Sequence, residues 1–277
     1  MMITMENIFD EMAAKAAERI KAEQGDYYKN GVLHCGKCRS AKEVLLERNG
    51  KSRRQGVLCK CESERRDARY EEESRIKLIE ERRERCFAEE RMKRWIFAND
   101  DGTNAELSNT AQKYVENFER MKADGKGLLL FGRCGTGKTF AAACIANALI
   151  DRSYRCLVTS FPRIGNEIMQ TDSKQEYIDK LNRFDLLIID DLESERNTEY
   201  MGEIVQNVIE SRYGAGLPLI VTTNLTAEEL KTASDIRRQR VYSRLFDMCL
   251  PVEVKGKDRR RERLKDDFKI YKDILGL

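Results

Sequence analysis

The chain has no long hydrophobic run. No apolar stretch approaches the roughly 20 residues that cross a bilayer, so neither a membrane span nor a membrane partner is expected. A secretory start is missing too: MMITMENIFDEM carries acids where a signal peptide has a basic segment and an apolar core, and the expected location is cytoplasmic. Net charge is only +3, so bulk charge does not argue for nucleic acid and local patches must. Histidine is almost absent, His34 being the only one. What the chain has in excess is charge of both signs. Asp, Glu, Lys and Arg make up 36% of the 277 residues, well above the usual quarter, and are expected in long solvated helices. A 41% hydrophobic share still suffices for a core, and the length allows one large domain or two modest ones. Nine cysteines in a cytoplasmic setting suggest metal ligation or buried thiols rather than disulfides.

The most informative stretch is Gly132-Arg133-Cys134-Gly135-Thr136-Gly137-Lys138-Thr139, which fits G-x-x-x-x-G-K-[ST]. Apolar Gly127 to Phe131 precedes it, and a small-residue helical pattern from Phe140 to Ile150 follows. Strand, glycine-rich loop and helix in that order are the context in which backbone N–H groups turn inward around phosphate oxygens. The helix N-terminus adds its partial positive charge. Lys138 is expected to reach the β- and γ-phosphates of ATP and the Thr139 hydroxyl to bind Mg²⁺. Residues 132–140 are therefore the expected nucleotide-binding set.

Phe184 to Asp191 is an apolar strand ending in two carboxylates, with Glu193 and Glu195 in reserve. Asp190 is expected to hold Mg²⁺ through water, and Asp191 to orient or deprotonate the attacking water. Cys156 to Ser160 reads as a further strand, as does Met248 to Val254. Leu217 to Asn224 is a buried strand with a polar end, which would bring Thr223 and Asn224 to the γ-phosphate, because strand C-termini line the ligand crevice of a parallel sheet. The arginines at 237, 238, 240, 244, 259, 260 and 261 read either as surface charge or as groups reaching nucleotide phosphates, in their own chain or a neighbour's.

Toward the N-terminus, Ile8, Met12, Ala16 and Ile20 form a rough helical stripe. Cys35 and Cys38, then Cys59 and Cys61 twenty residues on, have the pattern of a four-thiolate Zn²⁺ site, with Gly36, Gly50 and Gly56 suiting knuckles and a hairpin turn. His34 is an alternative ligand, although simultaneous use beside Cys35 is awkward. Basic residues such as Lys37, Arg39, Lys42, Arg53 and Arg54 crowd this module, either as a phosphate-contacting face or as ordinary solvated surface. From Ser63 to Trp95 charges stand three or four apart, which reads as an exposed helical connector. Ala111 to Met121 reads as one helix with Tyr114, Phe118 and Met121 on one side. The expected division is a zinc module over 1–66, a charged linker over 67–95 and a nucleotide-binding domain over 96–277.

With the P-loop, Asp190-Asp191 and Thr222-Thr223-Asn224 in this order, the chain resembles the AAA+ ATPases. More narrowly it resembles the DnaC/DnaI-type helicase loaders in their phage-borne, zinc-containing form. GLLLFGRCGTGKTFAAACIANALI, LLIIDDLESERNTEY, ESRY at 210–213 and LIVTTNL carry that likeness. It implies an α/β fold, a three-layer sandwich around a five-stranded parallel sheet. It also implies ATP, Mg²⁺ and Zn²⁺ as cofactors and an ATPase stimulated by single-stranded DNA. The implied partners are a hexameric replicative DNA helicase, single-stranded DNA, and further copies of the chain when ATP is bound. Asn224 would be the sensor-1 residue. Arg244 would be the arginine finger, with Arg240 as alternative, and Arg260 would be sensor 2, with Arg259 and Arg261 as neighbours to weigh. Asp191 stands where many AAA+ enzymes carry glutamate, a departure the loaders share. Two other readings stay open: an IstB-type transposition ATPase, and a zinc-containing nucleic-acid adaptor that only binds ATP.

Overall fold

The computed structural model describes residues 22–48, 51–193, 198–232 and 235–276. The stripe through Ile8 to Ile20 and the reserve carboxylate Glu195 lie outside the described residues. The chain divides into two units, Met1–Lys77 and Leu78–Leu277.

In the first unit β1 (Tyr27–Lys29) pairs antiparallel with β2 (Val32–His34). Asn30 and Gly31 between them both have positive φ, 51° and 73°, the conformation of a two-residue turn that matches strand twist. A second hairpin joins β3 (Glu43–Arg48) to β4 (Lys51–Gly56). Helix α1 (Lys60–Cys86) starts directly after Cys59. Its run of charges buries nothing before Cys86, so the excess charge of the sequence sits on a solvated helix as expected.

The unit boundary falls within α1, earlier than composition placed it, and hydrophobic burial explains why. Cys86, Phe87 and Met92 are buried in the core of the second unit, and Trp95 and Phe97 pack against that core. Residues 78–95 are thus part of the larger unit's wall.

That unit is built on five parallel strands, β5 (Gly127–Phe131), β6 (Cys156–Thr159), β7 (Leu186–Leu192), β8 (Leu219–Thr223) and β9 (Cys249–Glu253), in the order β6-β7-β8-β5-β9. Near-continuous apolar runs make such strands because both faces of a parallel sheet are covered. One face packs on α2 (Ala105–Glu116), α3 (Phe118–Ala123) and α4 (Lys138–Asp151). The other packs on α5 (Phe161–Met169), α6 (Lys174–Leu181), α7 (Glu199–Gly214) and α9 (Ile236–Met248), with the short α8 (Ala227–Lys231) between the last two. Helix α10 (Arg259–Leu275) follows β9. This is the expected three-layer sandwich. At Gly127 a Cβ would stand 1.7 Å from the Leu219 carbonyl, so only glycine lets β5 pass β8 this closely. The single helix expected over Ala111–Met121 is instead two, broken at Asn117, whose amide donates to the Lys113 carbonyl. Asn competes for backbone partners in this way and ends helices.

Arg212, the arginine of the ESRY stretch, is fully buried. Its guanidinium donates to the carbonyls of Leu181, Phe184, Asp185 and Pro218, which lie in the segments entering β7 and β8. One rigid fork thereby fixes where both site-bearing strands begin. Arg212→Met keeps the bulk but strands these acceptors, and is expected to cost about 3 kcal/mol. A fall in urea midpoint with unchanged m-value would show it; a midpoint within error of wild type would remove Arg212 from this role.

Candidate functional site

The loop between β5 and α4 can fold back on itself because Gly132, Gly135 and Gly137 take φ of 134°, 77° and 99°, which side-chain-bearing residues rarely adopt. Its closing residue, Gly137, is the N-cap of α4, so the first amides of that helix open onto the loop. Lys138 curls back over it. Its ammonium donates to the carbonyls of Gly132 (2.7 Å) and Arg133 (2.8 Å) and to Asn224 Oδ1 (2.9 Å). The Asn224 amide in turn donates to Asp191 Oδ1 at 2.8 Å, so one side chain links P-loop lysine and carboxylate. Asp190 Oδ1 accepts from Thr139 Oγ1 at 2.8 Å and from Thr222 Oγ1 at 2.6 Å.

These groups are costly to keep here. Burial pulls the Lys138 pKa down, and burial pushes the Asp190 pKa up against the opposing hydroxyl hydrogen bonds. A site that desolvates a cation and an acid side by side is built to be completed by charges of a ligand. The cavity they line has a volume of about 760 Å³, within the range of small-molecule sites.

Most residues singled out from sequence meet in that cavity: Cys134 to Phe140, Asp190, Asp191, Asn224 and Arg260. Gly132 and Arg133 act through the carbonyls that hold Lys138. Asp191 has φ +60°, at a register shift between Ile189 and Leu192. Asp tolerates this left-handed backbone better than most side-chain-bearing residues, a local reason for aspartate at this position.

Other expectations need correction. Thr223 does not face the cavity: it is fully buried and donates to the Leu192 carbonyl. Neighbouring strand residues point to opposite faces, so Thr222 takes the place assigned to Thr223. Glu193 turns away from the cavity toward α9. The finger candidates need no correction: Arg244 lies exposed with its guanidinium 4.5 Å from the centre of the Tyr213 ring, and both it and Arg240 stand outside their own cavity, as groups reaching a neighbour's nucleotide would. Arg261 pairs with Asp258.

Two parts of the wall went unread in the sequence. Asp101 lines the cavity, paired with Arg259, the sensor-2 alternative, which stands beside Arg260 and over the Phe140 ring. Glu89, Arg91, Met92, Arg94 and Trp95 form another part of the lining, from the stretch that composition assigned to a linker. The Trp95 ring stands 5.8 Å from that of Phe140. The available signal was the Trp95-Ile96-Phe97 cluster after so long a charged run. Trp95 is the only tryptophan, so adding ATP to the full chain is expected to change its emission, saturably and with one Kd. Emission indifferent to ATP at millimolar concentration would place the nucleotide elsewhere.

In the first unit the sulfurs of Cys35, Cys38, Cys59 and Cys61 all lie within 4.8 Å of one another, with Cys35–Cys61 at 3.7 Å and Cys59–Cys61 at 3.4 Å. Four thiolates about 2.3 Å from one tetrahedral Zn²⁺ would stand about 3.8 Å apart, so this donor set fits that ion. The Ser40 hydroxyl and nearby N–H groups hold the Cys38 thiol down at about 5, whereas neighbouring Cys59 pushes Cys61 up to about 12. His34 is outside the group; its Nδ1 meets the Val32 carbonyl and its ring stacks on Tyr27. Lys42, one of the basic residues of this module, is buried in an ion pair with Asp26 at 2.7 Å rather than facing solvent.

A parallel sheet in this strand order, with a P-loop after β5 and carboxylates ending β7, defines an AAA+ P-loop nucleotide-binding protein. More narrowly, the chain belongs to the IstB-like ATP binding protein family, whose model matches residues 60–266. It is 29% identical over 149 residues to the replicative helicase loader DnaI of Bacillus subtilis, covering 49% of this chain and 48% of that one. It is 25% identical over 264 residues to the phage-like element PBSX protein XkdC of the same organism, covering 91% and 94%. The chain spans about half the length of the curated loaders it matches. In fold it is similar to the crystal structure of the DnaC helicase loader, at TM-score 0.51 and 22% identity, over 60% of this chain and all of that one. Among the described residues no helix is long and apolar enough to cross a membrane.

Proposed function

We propose that the chain is an ATPase that loads a hexameric replicative helicase onto single-stranded DNA. The observation that carries the ATPase part is the convergence of Lys138, Thr139, Asp190, Asp191, Asn224 and Arg260 on one cavity of nucleotide size. In this reading Lys138 leaves the loop carbonyls for the β- and γ-phosphates, and Arg260 supports the same charge from the start of α10. Thr139 and Asp190 would hold Mg²⁺, which when bound supplies charge neutralisation between the phosphates. Asp191 receives the attacking water, and Asn224 keeps its carboxylate aimed. Arg244, or Arg240, acts on the nucleotide of a neighbouring copy, in keeping with their exposure outside their own cavity.

The loading part rests on the loader relatives and on the thiolate module joined to the ATPase by α1. The zinc module and the solvated start of α1 form the helicase-gripping end, while the ATPase end senses ATP and binds single-stranded DNA. That DNA binding would weaken with salt, because phosphate contacts release counterions. A second reading, an IstB-type transposition ATPase, is supported by the IstB-like family match over residues 60–266 and by 34% identity over 94 residues to a putative insertion sequence ATP-binding protein of Sinorhizobium fredii.

Loading of a purified host helicase onto circular single-stranded DNA, with the full chain and ATP, separates the two. The expected result is helicase activity that rises several-fold with the wild-type chain. It should be absent with Lys138→Ala. A helicase that neither binds the chain nor gains activity from it would transfer the assignment to the transposition reading.

A further inference from the structure

Glu193 stands two residues beyond Asp191 yet takes no part in the nucleotide cavity. One of its carboxylate oxygens, Oε1, accepts from the Tyr242 hydroxyl at 2.6 Å, and the other, Oε2, meets Arg238 Nη2 at 2.9 Å. Tyr242 is buried while the Glu193 and Arg238 side chains are part-exposed, so the carboxylate is held by a charge-assisted bond on its protein side and by the guanidinium on its solvent side. Both partners sit on α9, one helical turn apart. Arg240 and Arg244 are displaced from them by two positions on the same helix. At 100° per residue that is 200°, the opposite side of the helix. Helix α9 therefore carries a face gripped by Glu193 and an exposed face bearing the two finger candidates.

The segment joining Asp191 to Glu193 is not relaxed. Asp191 and Glu193 both hold left-handed backbone, φ +60° and +71°, beside the register shift in β7. Aspartate tolerates such geometry, but a glutamate holds it only when its surroundings impose it, and such residues cluster at active sites and switch regions. Asn224 ties the Asp191 carboxylate to Lys138, and only Leu192 separates Asp191 from Glu193, so one short segment carries both the cavity carboxylate and the Glu193 contacts to α9.

Resting on the ATP-site reading above, we propose that Glu193 is a positioning residue that couples the nucleotide cavity to the arginine-bearing helix, through Tyr242 and Arg238. It touches no nucleotide. Its task is to make the placement of Arg240 and Arg244 depend on what occupies the cavity of their own chain.

The test uses the full chain, with Glu193→Gln removing the charge and Tyr242→Phe removing one hydroxyl at constant shape. Hydrogen exchange with and without ATP is read on α4, behind the P-loop, and on α9. In wild type ATP is expected to slow exchange several-fold in both helices. In each variant the α4 response and the ATP Kd from Trp95 emission should stay within two-fold of wild type, while the α9 response falls below half. Turnover at saturating ATP should drop about ten-fold in each variant. Combining Glu193→Gln with loss of the active finger, Arg240 or Arg244, should lower turnover no further than loss of the finger alone, as for residues acting through one another. A wild-type α9 that ignores ATP, or an α9 response intact in both variants, would overturn the coupling. So would variant losses that multiply with the finger's. A parallel loss of ATP binding would reduce Glu193 to a structural role. Absence of any α4 response, even in wild type, would instead strike the nucleotide-site reading itself.

Discussion

Lys138→Ala is expected to weaken ATP binding by at least about 100-fold and to bring hydrolysis to background. Lys138 is buried, and its ammonium is already held over the loop by two carbonyls and Asn224, so a phosphate arriving there meets a placed, desolvated cation. Truncating one member of a buried charged pair costs about 2–5 kcal/mol, and about 1.4 kcal/mol is a factor of ten. The fold should survive, because alanine suits the first turn of α4 and the freed carbonyls open onto a wet cavity. Titration of Trp95 emission measures the binding, and circular dichroism checks the fold. Asp190→Asn is the informative contrast: it is expected to spare nucleotide binding within a few-fold while removing Mg²⁺-dependent turnover. Unchanged ATP affinity in Lys138→Ala would displace the nucleotide from this loop.

Removing the proposed zinc should be as severe for the first unit. Among its described residues that unit has two short hairpins and a solvated helix, with Leu33, Cys35, Lys42 and Cys59 buried. So little apolar burial cannot offset the entropy of ordering such a module. A structural Zn²⁺ contributes about 10–16 kcal/mol in small zinc modules near neutral pH. The purified chain is therefore expected to carry one zinc per chain, and Cys35→Ser or Cys59→Ser, or a strong chelator, should unfold residues 22–58. Loss of their amide exchange protection, with α4 unchanged, reads this locally. Zinc well below one per chain, together with freely titratable thiols, would refute the site.

The mixed-chain experiment then asks where Arg244 acts. Arg244→Ala alone should lose turnover and keep ATP binding. Mixing it with Lys138→Ala chains should restore part of the activity, because some interfaces pair an intact finger with an intact P-loop. Failure in a mixture shown to co-assemble would direct attention to Arg240.

The sequence by itself determined the fold class, the P-loop, the paired carboxylates and the clustered cysteines. Each is legible because its chemistry demands residue types at fixed local spacing: glycines where the backbone must turn left-handed, apolar runs where both sheet faces are covered, thiols in close pairs. Tertiary structure decided what depends on residues distant in the chain or on which way a side chain faces. Thr222 rather than Thr223 meets Asp190, because strand side chains alternate and the register shift in β7 sets the phase. Residues 89–95 became a wall of the nucleotide cavity because Cys86, Phe87 and Met92 bury against a core assembled from far along the chain. Arg212 had no role in sequence beyond the ESRY likeness, and only the approach of the segments entering β7 and β8 made it a buried fork between carbonyls. Glu193 looked like a spare catalytic acid, and a left-handed turn after Asp191 handed it to α9 instead. Local spacing specifies local chemistry, whereas the direction of a side chain is fixed only when distant segments pack.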